Sequence, residues 1–272
     1  MSDAVPHFPN LTVTLDSGVG ILALNRPASG NSLHPTVLQS LVGATKWAAK
    51  AASVRVIVLT GTGKFFTTGR DMGDNNALDN TDALALFREV NEVLIKCPKV
   101  LIAAVNGPAV GYGTTCLALF DMVYAVPEAY FFTPFSKWAL CPEGCSSITF
   151  PSILGHQKAA ALLLAGQRMT ATELWTAGLV TKIIHASSNS EFMAQVLQIT
   201  KQVASYPPVA LAASKALFEG NRVNELLAAN SRECECLRVR LEHQECKDGL
   251  LLFAREQQQK RVEGRRTRSS HI

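Results

Sequence analysis

The sequence predicts an α/β core with largely parallel strands, followed by an all-helical C-terminal region. Three observations carry this reading. Short β-branched runs such as Val54–Thr60 and Val100–Val105 have the continuous apolar character of strands buried on both faces. They alternate with segments of helical spacing over the first two hundred or so residues. After residue 195 strand signals stop and only helical periodicity remains.

Taken in order, Leu11–Leu15 and Gly20–Asn25 read as a hairpin around Asp16-Ser17-Gly18. Pro35–Ala52 places Val37, Leu38, Leu41, Val42 and Ala44 on one helical side. Val54–Thr60 is a buried strand closed by Gly61-Thr62-Gly63. Asp79–Lys96 is a helix with Asn80, Thr81 or Asp82 as caps, ended by Cys97-Pro98. Val100–Val105 runs into a glycine-rich turn, then a helix over Thr114–Phe120 and a strand over Met122–Val126. Ser147–Leu164 and Ala171–Ala177 read as helices, and Val180–Ile184 as a short strand. Glu191–Ser205, Val209–Glu219 and Val223–Lys260 are helical, broken at Pro207-Pro208 and near Gly220-Asn221. The divisions are a core over 1–195, a helical region over 196–264 and a basic tail over 265–272.

Composition excludes several classes. The 272 residues are 47% apolar and 18% charged, as in a well-buried globular chain. No apolar run is long enough to span a bilayer, and the N-terminus lacks a basic start followed by an apolar stretch. The formal net charge of +4 is concentrated in Lys260-Arg261 and Arg265-Arg266-Thr267-Arg268. The body is close to neutral, so nucleic acid is not an expected partner. Seven unevenly spaced cysteines do not form a disulfide framework. Cys234, Cys236, His243 and Cys246 fall in a helical segment where such spacings point in different directions, so no metal site is expected. His34, His156, His185 and His243 are treated as structural or surface residues.

Three segments carry chemical information. In Phe65-Phe66-Thr67-Thr68-Gly69-Arg70-Asp71-Met72, Gly69 permits a sharp turn that can leave the Arg70 N–H aimed outward. By itself this stretch reads better as a strand-to-helix connection with Asp71 as N-cap. In Val105-Asn106-Gly107-Pro108-Ala109-Val110-Gly111-Tyr112-Gly113, glycines flanking Tyr112 let backbone approach a ligand at a helix N-terminus, where a donor suits a developing oxyanion. A tight helix-start loop explains it equally well. Glu143 lies among Trp138, Leu140, Cys141 and Pro142, an apolar setting that raises a carboxyl pKa. Taken alone, it reads first as a glutamate in the opening turn of a helix. No P-loop, G-x-S-x-G elbow or H-E-x-x-H pair occurs.

Together these segments resemble the crotonase (enoyl-CoA hydratase/isomerase) superfamily across nearly the whole chain. Leu24-Asn25-Arg26-Pro27 and Asn31-Ser32-Leu33 look like its opening strand and CoA-contacting loop, and Thr170-Ala171-Thr172-Glu173 with Ala177-Gly178-Leu179-Val180 matches another of its blocks. Thr133-Pro134-Phe135-Ser136, Cys141 to Ser147, Phe150-Pro151, Ser214-Lys215 and Glu233-Cys234 are similar to peroxisomal 3,2-trans-enoyl-CoA isomerases.

The resemblance implies a spiral core of repeated strand–strand–helix units and a C-terminal helical trimerisation region, as a homotrimer or hexamer. It implies a fatty acyl-CoA thioester as substrate and no separate cofactor. The Arg70 and Tyr112 amides would hold the thioester oxygen, and Glu143 would move a proton from C2 to C4. Arg26, Ser29, Gly30, Asn31, Gly69, Asp71, Met72 and Gly111 would line the CoA and acyl site. Thr115 and Pro134 stand where hydratases of the superfamily carry glutamates, which disfavours hydration of simple 2-enoyl thioesters. Arg70 departs from the usual small residue and puts the substrate in question.

Two alternatives stay open: a hydratase or dehydratase acting on a branched hydroxyacyl-CoA, and a non-catalytic acyl-CoA-binding module of the kind the similar chromodomain-Y-like proteins suggest. Ser270-His271-Ile272 resembles a relaxed peroxisomal Ser-Lys-Leu address for an import receptor; without it the expected location is the cytoplasm.

Overall fold

The computed structural model describes residues 4–71, 81–253 and 255–256. Among these residues the main sheet has six strands, in the order Leu11–Asp16, Val19–Leu24, Val56–Gly61, Val100–Val105, Met122–Ala125 and Lys182–Ile183. The hairpin of β1 (Leu11–Asp16) and β2 (Val19–Leu24) is antiparallel, with Leu11 opposite Leu24, and turns through Ser17 and Gly18, both at positive φ. β3 (Val56–Gly61) and β4 (Val100–Val105) join in parallel, Val56 opposite Val100, and every residue of both strands is buried. β6 (Met122–Ala125) and β9 (Lys182–Ile183) extend the parallel array.

Helices cover the sheet. α1 (Pro35–Lys50) buries Val37, Leu38, Leu41, Val42 and Ala44 as its spacing requires. His34 caps it by accepting the Thr36 N–H, with Pro35 in the first turn. α2 (Thr81–Ile95) packs on α1; of the expected caps, Asn80 lies outside the described residues, and Thr81 and Asp82 fall within the helix itself.

The next part of the chain departs from expectation. A second sheet joins β5 (Ala109–Val110), β7 (Tyr130–Phe132) and β8 (Met169–Thr170), strands too short for sequence periodicity to reveal. The helix expected over Thr114–Phe120 is one short turn, α3 (Tyr112–Thr115), continued as a 3₁₀ turn over Cys116–Leu119. The single helix expected over Ser147–Leu164 is two, α4 (Ser146–Leu154) and α5 (His156–Leu163), because Gly155 at φ 77° and ψ 155° breaks the hydrogen-bond ladder.

α6 (Ala171–Thr176) opens with a reciprocal capping box between Thr170 and Glu173. Then come α7 (Asn189–Ala204), α8 (Pro208–Glu219) and α9 (Arg222–Glu242). The helix expected to run from Val223 to Lys260 ends at Glu242, since His243 is extended at ψ 142°; residues 244–253 are helical again. α9 lies against α2 and α4, so the C-terminal helices touch the elements that carry the candidate site.

Candidate active site

The turn after β3 is built from below. Asn31 is 1% exposed, and its side-chain amide donates to the carbonyls of Thr62 (2.9 Å), Phe65 (2.8 Å) and Phe66 (3.3 Å) while accepting the Arg26 N–H at 3.0 Å. This brings the next residues alongside β5: Val110 N–H donates to Thr67 O at 3.0 Å, and Thr67 and Ala109 form a parallel bridge. Gly69 stands at φ 78°, a conformation with little room for a β-carbon. A β-carbon there would meet Val110 O at 2.5 Å and Tyr112 N at 3.5 Å. Leu33 N–H bonds Gly69 O and Asp71 N–H bonds Leu33 O, which turns the intervening Arg70 amide away from Leu33.

Tyr112 begins α3 behind Gly111, so its N–H has no acceptor within that helix. Its side chain is an anchor: 3% exposed, edge-on to Phe87 at 4.8 Å, with its hydroxyl donating to Asn91 Oδ1 at 2.6 Å. Asn91 in turn donates to Asn230 Oδ1 at 2.8 Å.

Glu143 lies on the loop between the 3₁₀ turn Ser136–Trp138 and α4. It is not in the first turn of α4, which contains no acidic residue. Two left-handed residues separate it from the helix, Gly144 at φ 66° and Cys145 at φ 62°. A β-carbon on Gly144 would come within 2.7 Å of Thr115 Oγ1, so the loop approaches α3 closely. The amides at the start of α4 go instead to a distant residue: Cys145 N–H and Ser147 N–H donate to the two oxygens of Glu233 at 2.7 and 2.8 Å.

Glu143 is half-buried, and protein atoms crowd its carboxyl. Burial pushes its pKa up to about 7; Arg70 pulls it down and Glu233 adds to the rise. Burial lowers the pKa of the Arg70 guanidinium, and Glu143 and Cys246 counter that. Burial also raises Tyr112 and Cys116, with Glu143 contributing to both, so these groups stay neutral near pH 7.

Arg26, Ser29, Gly30 and Asp71, also expected to contact a ligand, lie on or beside the turn after β3. Arg26 donates to Asp71 Oδ2 at 2.7 Å and to Ser32 O at 2.8 Å, and Ser32 Oγ also donates to Asp71. Asp71 thus ties two loops together. Ser29 is exposed with its hydroxyl on Arg26 O, and Gly30 O accepts the Thr68 N–H. Met72 lies outside the described residues. Cys234 and Cys236 differ in setting: Cys234 bonds Asn230 at 3.7 Å, whereas Cys236 is exposed.

Sequence reasoning gave no site role to Asn91, Asn230 or Glu233. A signal for them exists. Asn91 sits between Phe87 and Leu94 at helical spacing, and Asn230 and Glu233 interrupt the buried stripe Leu226, Ala229, Leu237. Polar groups on an apolar stripe require buried partners.

The family profile described as Enoyl-CoA hydratase/isomerase matches residues 14–264. The rat protein named Enoyl-CoA delta isomerase 2 is 38% identical over 250 residues, which cover 89% of this chain and 63% of that protein. The chain therefore spans less than two thirds of that relative's length. The mouse protein named Enoyl-CoA delta isomerase 3, peroxisomal, is 36% identical, covering 90% of this chain and 78% of its own. Among solved structures, the enoyl-CoA hydratase/isomerase of Pseudoalteromonas atlantica T6c superposes with a TM-score of 0.83 at 31% identity, covering 91% of this chain and 97% of that one.

Proposed function

The chain belongs to the enoyl-CoA hydratase/isomerase family, of crotonase fold, and from that premise we propose that it shifts the double bond of a 3-enoyl-CoA to the 2-trans position, with Glu143 carrying the proton. The observation behind this reading is one buried carboxyl with a pKa of about 7, on a loop packed against α3, where the chain of Gly69 and Arg70 meets that of Tyr112.

In this reading the thioester oxygen accepts hydrogen bonds from the amides of Arg70 and Tyr112. Glu143, ionised, takes a proton from C2; the electrons move into a dienolate whose negative charge sits largely on that oxygen. The resulting carboxylic acid returns the proton at C4, and the double bond ends between C2 and C3. Charge on the oxygen is greatest between reactant and product, so fixed donors favour the transition state, each by about 2.7–4 kcal/mol. A carboxyl titrating near neutrality suits both taking and returning the proton. Binding of the CoA portion orients the acyl chain at no cost to the chemical step.

No water enters this reaction, so one carboxylate suffices. The hydratase alternative gains little from Thr115, which is fully buried with its hydroxyl on Tyr112 O. A second reading rests on Arg70, whose charge is felt by Glu143 and could assist departure of a hydroxyl from a branched hydroxyacyl-CoA. The non-catalytic module is disfavoured by the presence of Glu143 in this setting. Wild type and Glu143→Gln, each given 3-enoyl-, 2-enoyl- and hydroxyacyl-CoA, separate the three. The expected result is loss of isomerisation with CoA binding retained; unchanged isomerisation in Glu143→Gln removes the assignment.

The exposed apolar side chains of α8, Val209, Leu217 and Phe218, support a trimer or hexamer built on the C-terminal helices. Leu217→Glu with Phe218→Glu should shift the sedimentation mass toward the monomer. Peroxisomal location follows from the reading of Ser270-His271-Ile272 as an address, which agrees with the name of the mouse relative. Deleting these residues should leave the protein in the cytosol.

A further inference from the structure

On the face of α9 that meets α2 and α4, two polar side chains lie about one turn apart, Asn230 at 1% and Glu233 at 6% exposure. Each reaches a different half of the site. Asn230 donates to Arg88 O at 3.0 Å and accepts from Asn91, which accepts the Tyr112 hydroxyl. Glu233 accepts the Cys145 and Ser147 amides, and Leu226, on the same helix, accepts the Cys145 thiol at 3.3 Å.

The loop needs this hold. Cys145 at φ 62° is in a left-handed conformation that is strained for a non-glycine residue and persists only when its surroundings enforce it. The start of α4 also demands an acceptor for its unpaired amides. Glu143, three residues before Ser146, is the nearest acidic side chain along the chain and would be the default cap. With both positions filled by Glu233, the Glu143 carboxyl takes no hydrogen bond from any described residue. It is left for a ligand.

We infer that Glu233 is the positioning residue for Glu143, occupying the capping sites of α4 that would otherwise capture it, and that through Asn230 the same turn of α9 keeps Glu143 in register with Tyr112. Neither residue touches the reacting atoms. The inference rests on Glu143 as the proton carrier.

Among the described residues, the charges facing Glu143 are Arg70 from the turn after β3 and Glu233 from α9. The neighbouring phenol of Tyr112 and the thiols of Cys116, Cys141 and Cys234 are all held neutral by burial. Glu233 is itself raised by burial, against its bonds to Ser147 and Cys145 and the charge of Arg232. Removing the Glu233 charge therefore lowers the pKa of Glu143, which a merely structural brace would not do.

The test is the rate–pH profile of the full chain with 3-enoyl-CoA for Glu233→Gln and Asn230→Leu. Glu233→Gln offers one acceptor instead of two. It is expected to keep KM within about twofold, to lose about tenfold or more in kcat on the alkaline plateau, and to move the acidic limb to lower pH. Asn230→Leu should lower kcat with the limb unmoved, since no charge is lost. A Glu233→Gln enzyme with the wild-type plateau, or with a lowered plateau and an unmoved limb, overturns the inference. Should that variant not fold, Glu233→Asp keeps the charge but retracts it, and wild-type kcat there overturns it equally. Retained turnover in Glu143→Gln would remove the proton carrier itself; an inactive Glu143→Gln beside a normal Glu233→Gln removes only the role of Glu233.

Discussion

The amide nitrogen of Tyr112 lies 3.5 Å from the point that a β-carbon on Gly69 would occupy, with Val110 O at 2.5 Å from the same point. Two chain segments from different strands are thus in backbone contact at Gly69. Gly69→Ala should force them apart. The positive φ and the backbone clash together predict a loss of about 1–3 kcal/mol in stability by chemical denaturation. The proposed reading also predicts a fall in kcat beyond the effect on KM, because the carbonyl that must give way, Val110 O, lies two residues before the proposed donor Tyr112 N–H.

Glu143 titrates near 7 against an ordinary 4.5, because burial disfavours its charge. Its native pKa is raised, so the native state holds a proton that the unfolded chain releases between these values. Stability therefore falls as pH rises from about 4.5 to 7, and the cost is fully present above that window. Glu143→Gln should be more stable than wild type at pH 8 by up to about 3 kcal/mol, and nearly equal to it at pH 4. Paired denaturation curves check this. The same titration predicts an acidic limb in the isomerisation rate near pH 7.

Arg70 acts on that limb in the opposite sense to Glu233. Its charge lowers the Glu143 pKa, so Arg70→Met should move the acidic limb to higher pH while leaving the main-chain N–H at position 70 in place. A limb that stays put would mean that the guanidinium does not act on Glu143 during turnover.

Asn31→Ala should be among the more damaging single changes outside the Glu143 neighbourhood. It removes the donor to three carbonyls and the acceptor of the Arg26 amide in one buried place. Leaving such groups unpaired costs about 1–3 kcal/mol or more, read as a lowered thermal midpoint. Asp71→Asn is the milder companion: it weakens a part-exposed ion pair with Arg26, for which about 1 kcal/mol or less is expected.

Much of the architecture was legible along the chain because its causes are local. Val56–Gly61 and Val100–Val105 are continuous apolar runs, and a parallel strand covered on both faces requires them. The two-residue strands β5 and β8 were not legible, since two residues carry no period and their pairing depends on partners far away. The break at Gly155 is not legible either, because one glycine lowers helix propensity without showing whether the backbone turns there.

By itself the sequence determined the order of the site: a glycine turn before Arg70, a second before Tyr112, and a glutamate in apolar company at 143. What only the tertiary structure decided is the division of labour between two chemically identical side chains. Glu143 and Glu233 carry the same carboxyl group, yet one caps α4 across 88 residues of sequence and the other is left without a hydrogen bond from the described protein. Hydrogen bonding and desolvation act over a few ångströms of space, so the packing of α9 against α4 assigns those roles, and no spacing along the chain records it.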